Sequence, residues 1–354
     1  MLELSELEQE VKHYERSLNK FISSANNLDS QENHVTTTGD GDSIAIELIA
    51  ENALWRLQRY CSKITGRPLL VTYALLNNPS ILDLSKDHSF IAGLIAAGFD
   101  VYLLSWKNDQ SVGNVQSYCE YIIDQGLSQA VEKVLAHCHK QQLELLGVCQ
   151  GGVFSLCLSV LKPEKIKRLI LMGTPIDFQT TDNQLSKLVK QLYAIKPQLN
   201  CMKVGNLINS RAINSVLSYQ KPANLLMLKY ANFIQLERQQ RQEFYQLEKW
   251  LWDSGWLSVA ALYEFIDDFY IHNNLIEGFL TIAGQSINLA ELTVPVLNLY
   301  AENDWLVPPS ASCALKEKVN PELLYQEVGF ETGHIGLYVS RRTQKQVINT
   351  IAGT

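Results

Sequence analysis

The sequence predicts an α/β fold, a mostly parallel sheet flanked by helices, with a helical cap inserted between two of its strands. Three observations predict it. From Arg67 onward, short apolar runs alternate with helical patterns, the rhythm of a parallel sheet that binds ligands at the carboxyl ends of its strands. That rhythm breaks over residues 177–284, which read as helical, Gln-rich and aromatic, and then it resumes. Between Leu143 and Gly152 an apolar run meets a sharp glycine-bounded turn and continues as an apolar helix through Leu161.

Taken in order, residues 1–66 read as an N-terminal helical region with a mobile linker. Leu2, Leu4, Leu7, Val11, Tyr14, Leu18, Phe21 and Ile22 recur mainly every three or four residues, which predicts an amphipathic helix. Packing on its own domain is the bland role for such a helix, and docking to a partner the sharper one. Residues 23–43, rich in Ser, Asn, Asp, Thr and Gly, predict the mobile connection. A second helix is expected over 44–60, on Ile46, Leu48, Ile49, Leu54 and Leu57.

The α/β core is assigned to 67–176 and 285–354. Its expected elements are a strand at 69–76, a helix at 88–97 stopping at Gly98, a strand at 100–104 and a long helix over 112–139. Strands follow at 143–148, 166–172, 294–300 and 323–328. The cap, 177–284, holds Trp250, Trp252, Trp256, Phe265, Phe269 and Tyr270, enough to complete a core or to roof a cleft against water.

Composition narrows the function. The chain has 354 residues and is 46% hydrophobic, enough for one large core and a smaller accessory region. A net charge of −7 argues against nucleic acid as the main partner. Seven scattered cysteines, an odd number, fit a reducing cytoplasm better than a disulfide framework. The acidic start, Met1-Leu2-Glu3-Leu4-Ser5-Glu6, lacks the pattern of a signal peptide, and no apolar run approaches the roughly 18 residues of a transmembrane segment.

Gly147-Val148-Cys149-Gln150-Gly151 has the strand–turn–helix setting of the G-x-S-x-G nucleophile elbow, with sulfur for the hydroxyl oxygen. A turn this tight brings strand and helix backbones together, where a Cβ would clash. It holds Cys149 over a helix N-terminus, whose partial positive charge favours a thiolate. Acid and histidine candidates then follow in the chain order of α/β-hydrolases. Asp304 lies in the loop after a late strand, just before Leu306-Val307-Pro308, and is preferred to its rival Glu302. His334 lies between Gly333 and Ile335-Gly336 in the last strand–helix loop, a setting the other six histidines lack. His334 would take the Cys149 proton, and Asp304 would fix the imidazole tautomer and stabilise its charged form. The oxyanion would be held by two backbone amides, that of Gln150 and one from the Leu75–Leu76 turn. His137-Cys138-His139 looks like a metal site, but consecutive helical residues point in different directions.

A sulfur nucleophile has a thermodynamic use. Acyl transfer from a thioester to Cys149 is nearly thermoneutral, and onward transfer to a hydroxyl gives an oxoester and is downhill. Sulfur therefore suits an acyltransferase that takes a CoA thioester and excludes water. The carrying segments are residues 70–79, 100–104, 147–152, 173–178, 248–250, 268–270, 295–301, 306–309 and 333–336, in unbroken order from about residue 67 onward. Together they resemble the polyhydroxyalkanoate synthases, particularly the short catalytic subunits of the two-component class III type. Two places depart from the family pattern: Ser105 precedes Trp106 where Asp is usual, and Glu331-Thr332-Gly333 replaces a Pro-Gly-Gly run.

The resemblance implies the α/β-hydrolase fold and an enzyme that polymerises short-chain (R)-3-hydroxyacyl-CoA, such as 3-hydroxybutyryl-CoA, into polyester with CoA release. It implies Cys149 as the site of the growing chain, His334 as base for the thiol and the incoming hydroxyl, and Asp304 as an aid at the substrate 3-hydroxyl. It further implies a homodimer, a small helical partner subunit of the PhaE or PhaR type, and a place at the surface of cytoplasmic granules. No metal or bound cofactor is expected. The alternatives are a thiol-dependent hydrolase of thioesters or lactones, and a non-catalytic granule-associated subunit.

Overall fold

The apolar runs pair into an eight-stranded sheet. The computed structural model describes residues 44–61, 66–85, 88–194, 203–218, 238–252 and 255–353. The helix expected at 2–22 and the connection at 23–43 lie outside them. The strands are β1 (Ala45–Glu51), β2 (Trp55–Cys61), β3 (Arg67–Thr72), β4 (Phe99–Trp106), β5 (Leu143–Val148), β6 (Ile166–Met172), β7 (Val296–Ala301) and β8 (Tyr325–Phe330). Their spatial order is β1-β2-β4-β3-β5-β6-β7-β8. The β1–β2 and β2–β4 pairs are antiparallel, and every later pair is parallel.

Helices cover both faces, so the central strands can be apolar throughout. Every residue of β5 is buried. Helices α1 (Phe90–Ala96), α2 (Leu127–Cys138) and α3 (Gln150–Leu161) follow β3, β4 and β5. On one face, Leu127 and Val131 of α2 and Phe154 of α3 pack against Leu70, Leu104 and Leu145. On the other, Phe90 and Leu94 of α1 meet Val347 and Ile351, together with Val71, Val101 and Leu146. Burying each such leucine or valine contributes roughly 2 kcal/mol.

The helix expected over 44–60 is instead the β1–β2 hairpin, so the described part of the N-terminal region is not helical. Asn52 Oδ1 accepts from Leu54 N at 2.8 Å and Trp55 N at 3.0 Å, a side-chain turn that reverses the chain. Trp55 and Leu57 alternate with exposed Arg56, a strand period that the three- and four-residue apolar spacing concealed. On the edge strand, Ile46 and Leu48 are 44% and 53% exposed, so they mark no core face at all.

The helix expected over 112–139 begins only at Leu127. Before it come two 3₁₀ turns, Gln110–Asn114 and Tyr118–Tyr121, each capped by a side chain. Ser117 and Glu120 form a capping box, a legible start signal inside the supposed helix. Gly126 lies against the carbonyl of Tyr121 where no Cβ fits. The strand expected at 69–76 ends at Thr72, and 73–76 turn away as a loop.

The interval between β6 and β7 carries α4 (Gln184–Ala194), α5 (Ser210–Ser218), α6 (Arg238–Trp252) and α7 (Val259–Phe265). Its described residues are mainly helical, yet they also hold a three-stranded antiparallel sheet, Lys203–Val204, Leu207–Asn209 and Trp256–Ser258, set by pairing too short to show as a pattern. Helix α8 (Arg341–Gly353) closes the chain against the sheet.

At the amino end of the sheet, Glu144 breaks the apolar run of β5. Arg168 Nε donates to its Oε2 at 3.0 Å, and Arg168 Nη2 donates to Ile351 O at 2.9 Å. Glu144→Ala would take this carboxylate away from the buried guanidinium, a loss of about 3–5 kcal/mol. Urea unfolding should show this, with much of it recovered in Glu144→Leu/Arg168→Met.

Candidate active site

Cys149 sits between β5 and α3 with φ +53° and ψ −123°, outside the region where side chains are comfortable. Its N–H donates to Met172 O at 2.9 Å, and Gly152 N–H donates back to Cys149 O at 2.9 Å. The glycines have the steric role expected of them. A Cβ on Gly147 would run into Gly152 Cα, and one on Gly151 would lie 2.7 Å from Tyr73 O. Sulfur is thereby presented at the carboxyl end of the sheet, beside the first turn of α3.

Asp304 and His334 come from the loops after β7 and β8 and meet above that turn. His334 Nδ1–H donates to Asp304 Oδ2 at 2.6 Å. Asp304 Oδ1 accepts from Leu306 N at 2.9 Å and Val307 N at 3.0 Å, which fixes the carboxylate plane. The two loops are joined by Asn303 N–H to Thr332 O at 3.0 Å. Glu302, the rival acid, is exposed. The imidazole packs against Gly173, the residue after the Met172 whose carbonyl accepts from Cys149 N–H. Burial alone would push the His334 pKa down, but the charge of Asp304, then that of Cys149, and the hydrogen bond to Asp304 hold it well above its ordinary value. The three residues singled out from sequence therefore occupy one site.

Of the expected oxyanion donors, one is engaged: Leu75 N–H donates to Gln150 Oε1 at 3.0 Å. The loop that carries it is held by Trp106 Nε1–H to Tyr73 O at 2.8 Å. Trp106 is the residue after the Ser105 departure. His137 and His139 are not together at any site. His137 Nδ1 pairs with the Tyr102 hydroxyl at 2.9 Å, and His139 ends α2 in left-handed backbone.

Three tyrosines whose hydroxyls feel the charge of Cys149 were not singled out from sequence as site residues. The Tyr73 and Tyr338 hydroxyls are 3.0 Å apart and buried. Tyr270 belongs to a π-helical turn, Ile266–Ile271, a rare backbone often found at functional sites. Burial first, then negative charge at Cys149, pushes the Tyr270 hydroxyl pKa up. Tyr73 and Tyr270 lie in segments that carried the family resemblance, and Tyr270 also belongs to the aromatic run of residues 177–284.

An eight-stranded, mostly parallel sheet with a nucleophile elbow and a late acid–histidine pair defines the α/β-hydrolase class. The family model for the alpha/beta hydrolase fold matches residues 73–340. Among solved structures, bromoperoxidase from Bacillus anthracis is similar with a TM-score of 0.54 at 12% identity, covering 88% of this chain and 100% of that one. The thioesterase domain from the curacin biosynthetic pathway is similar with a TM-score of 0.50 at 15% identity, covering 88% and 100%. Such likeness shows the fold.

Sequence relatives narrow the class. The chain is 38% identical over 288 residues to the poly(3-hydroxyalkanoate) polymerase subunit PhaC of Allochromatium vinosum, covering 80% of this chain and 79% of that one. It is 33% identical over 338 residues to the subunit of the same name from Synechocystis sp., covering 94% and 89%. The chain belongs to the family of poly(3-hydroxyalkanoate) polymerase subunits PhaC, which are acyltransferases. Among the described residues, no helix is long and apolar enough to cross a membrane.

A histidine whose folded pKa is raised stabilises the fold fully below its unfolded value, about 6.5. That contribution is lost as pH rises through the raised folded value. The stability difference between wild type and His334→Asn should therefore be greatest near pH 6 and shrink into the alkaline range. Chemical denaturation at a series of pH values measures it, and a flat difference would contradict the assigned environment of the ring.

Proposed function

We propose that the chain is the catalytic subunit of a polyester synthase that takes short-chain (R)-3-hydroxyacyl-CoA. Cys149, His334 and Asp304 act as a catalytic triad. The observation that supports this reading most is the 2.6 Å contact between His334 Nδ1 and Asp304 Oδ2 at the same end of the sheet as the strained Cys149 elbow.

His334 withdraws the Cys149 proton, and the thiolate attacks the acyl carbonyl of the CoA thioester. Negative charge on the carbonyl oxygen is met by the Gln150 amide and by one amide of the Leu75–Leu76 turn. The C–S bond to CoA breaks, the CoA thiol leaves with a proton from His334, and the acyl group remains on Cys149. A 3-hydroxyl then gives its proton to His334 and attacks a thioester carbonyl; the C–S bond of that thioester breaks, its sulfur takes the proton back from His334, and the new oxoester lengthens the chain by one unit. Asp304 keeps the imidazole in the tautomer that can accept these protons, and also assists at the substrate 3-hydroxyl. The segment 177–284 serves as a cap over the cleft, and 67–176 with 285–354 as the core.

The same reading places the enzyme as a homodimer at the surface of polyester granules, with a small helical partner subunit of the PhaE or PhaR type. Family membership supports this placing, and the departures at Ser105 and Glu331-Thr332 leave the three reactive residues intact.

With 3-hydroxybutyryl-CoA, the purified subunit should release free CoA and form insoluble polyester, more strongly when co-purified with its partner. Cys149→Ala should abolish both products. Asp304→Asn should lower turnover by a factor on the order of 10³–10⁴, the cost of a wrong imidazole tautomer. Free 3-hydroxybutyrate without polymer would mark a hydrolase instead, and absence of an acyl group on Cys149 would mark a non-catalytic subunit.

A further inference from the structure

Gln150 plays two parts at the elbow. Its backbone N–H is one expected oxyanion donor, and its side-chain Oε1 covers another, Leu75 N–H, at 3.0 Å. We propose that the Gln150 carboxamide is an internal cap on the oxyanion hole, which withholds the Leu75 amide from water attack on an acyl-Cys149 thioester and yields it to an incoming substrate. The proposal rests on the reading of Cys149 as an acyl carrier.

The surroundings decide which part can move. The loop backbone is held on both sides of Leu75, by Trp106 Nε1–H to Tyr73 O at 2.8 Å and by Trp250 Nε1–H to Asn78 O at 2.7 Å. Gly151 lies so close beneath that a Cβ there would be 2.7 Å from Tyr73 O. The Gln150 side chain is half-exposed at the mouth of the turn, so it can rotate away while the amide stays in place. An amide carbonyl is the same kind of acceptor as a thioester carbonyl, and it keeps the Leu75 donor satisfied when no substrate is present.

The cap separates two reactions that share the hole. In hydrolysis, a water oxygen bonds to the acyl carbon and the C–S bond to Cys149 breaks. One water proton passes through His334 to the sulfur, and the other leaves with the acid. Water brings no further contacts with which to displace Gln150. An acyl-CoA binds through its remote parts as well, and that binding energy can be spent on displacing the side chain. Once the bound substrate has displaced the side chain, the Leu75 amide meets the developing oxyanion through a charge-assisted hydrogen bond, roughly twice as strong as the one it gave up.

The test is the lifetime of the acyl-enzyme. Cys149 is acylated with p-nitrophenyl acetate and, separately, with 3-hydroxybutyryl-CoA. Loss of the acyl group is followed by intact-protein mass spectrometry in wild type, Gln150→Ala and Gln150→Glu. Acetyl-Cys149 should hydrolyse about tenfold faster in Gln150→Ala, the effect of freeing a donor from one ordinary hydrogen bond. Gln150→Glu, which keeps an acceptor of the same length, should hydrolyse no faster than wild type. If Gln150→Ala unfolds, Gln150→Met, which lacks the carboxamide acceptor, reads the same difference. Equal or slower loss in a folded variant without the carboxamide overturns the proposal, as does its failure to become acylated, since the side chain would then be bracing the hole. Acetylation without transfer from 3-hydroxybutyryl-CoA sinks the polyester reading alone, and the comparison still stands on acetyl-Cys149. No acylation by either reagent overturns both.

Discussion

Backbone strain at one residue organises the carboxyl end of the sheet. Cys149 is held at φ +53° and ψ −123°, a conformation that costs a non-glycine residue about 1–3 kcal/mol. It persists because the turn is over-determined. The Cys149 amide is tied to β6 through Met172 O at 2.9 Å, and its carbonyl starts α3 through Gly152 N at 2.9 Å. Glycines at 147, 151 and 152 let three segments approach where any side chain would collide with Gly152, with Thr72 and Tyr73, or with Thr174. The strain aims the sulfur outward, while the amide of the next residue stays beside it. A relaxed turn would give neither.

Close packing also sets the room for His334. Gly173 ends β6 in left-handed backbone, φ +57°, and a Cβ there would lie 3.2 Å from His334 Cε1. The imidazole thus fills space left by a missing side chain, and it is buried with its carboxylate. A buried acid–base pair needs its remaining polar valences satisfied. Asp304 meets that need with two backbone amides, those of Leu306 and Val307. Thr332 contributes its backbone carbonyl to the neighbouring loop, and Glu331 points into solvent, so replacing a Pro-Gly-Gly run leaves the acid–histidine contact undisturbed.

The legible parts of the sequence were those where one physical rule dominates. Strands β5 and β6 match their expected bounds because parallel strands buried on both faces are continuously apolar, with punctuation at Gly147 and Gly173. Cys149, Asp304 and His334 could be found because each lies in a loop directly after a sheet strand, where topology converges. The misreadings fell where two rules compete. Over 44–60, apolar spacing suited a helix, but the Asn52 side chain turned the chain and an edge strand left Ile46 and Leu48 in solvent. Over 112–126, periodicity hid the capping box of Ser117 and Glu120. The Gln150–Leu75 hydrogen bond joins residues 75 apart, and no local pattern encodes it.

The contacts of the 177–284 segment give that loop a further property. Asn77 has left-handed backbone, φ +68°, and its Oδ1 accepts from Asn214 Nδ2 of α5 at 2.6 Å; the same amide donates to Leu251 O of α6 at 2.8 Å. Trp250 of α6 donates to Asn78 O at 2.7 Å. Residues 73–78 are therefore held at one end through Trp106 and at the other by α5 and α6. Leu75 and Leu76 lie between these two anchors. Moving α5 and α6 away from the core would break the bonds to Asn77 and Asn78 and release the backbone of Leu75 and Leu76. The position of the segment beside the Cys149 turn is thus mechanically coupled to that of α5 and α6, because the same few hydrogen bonds fix both.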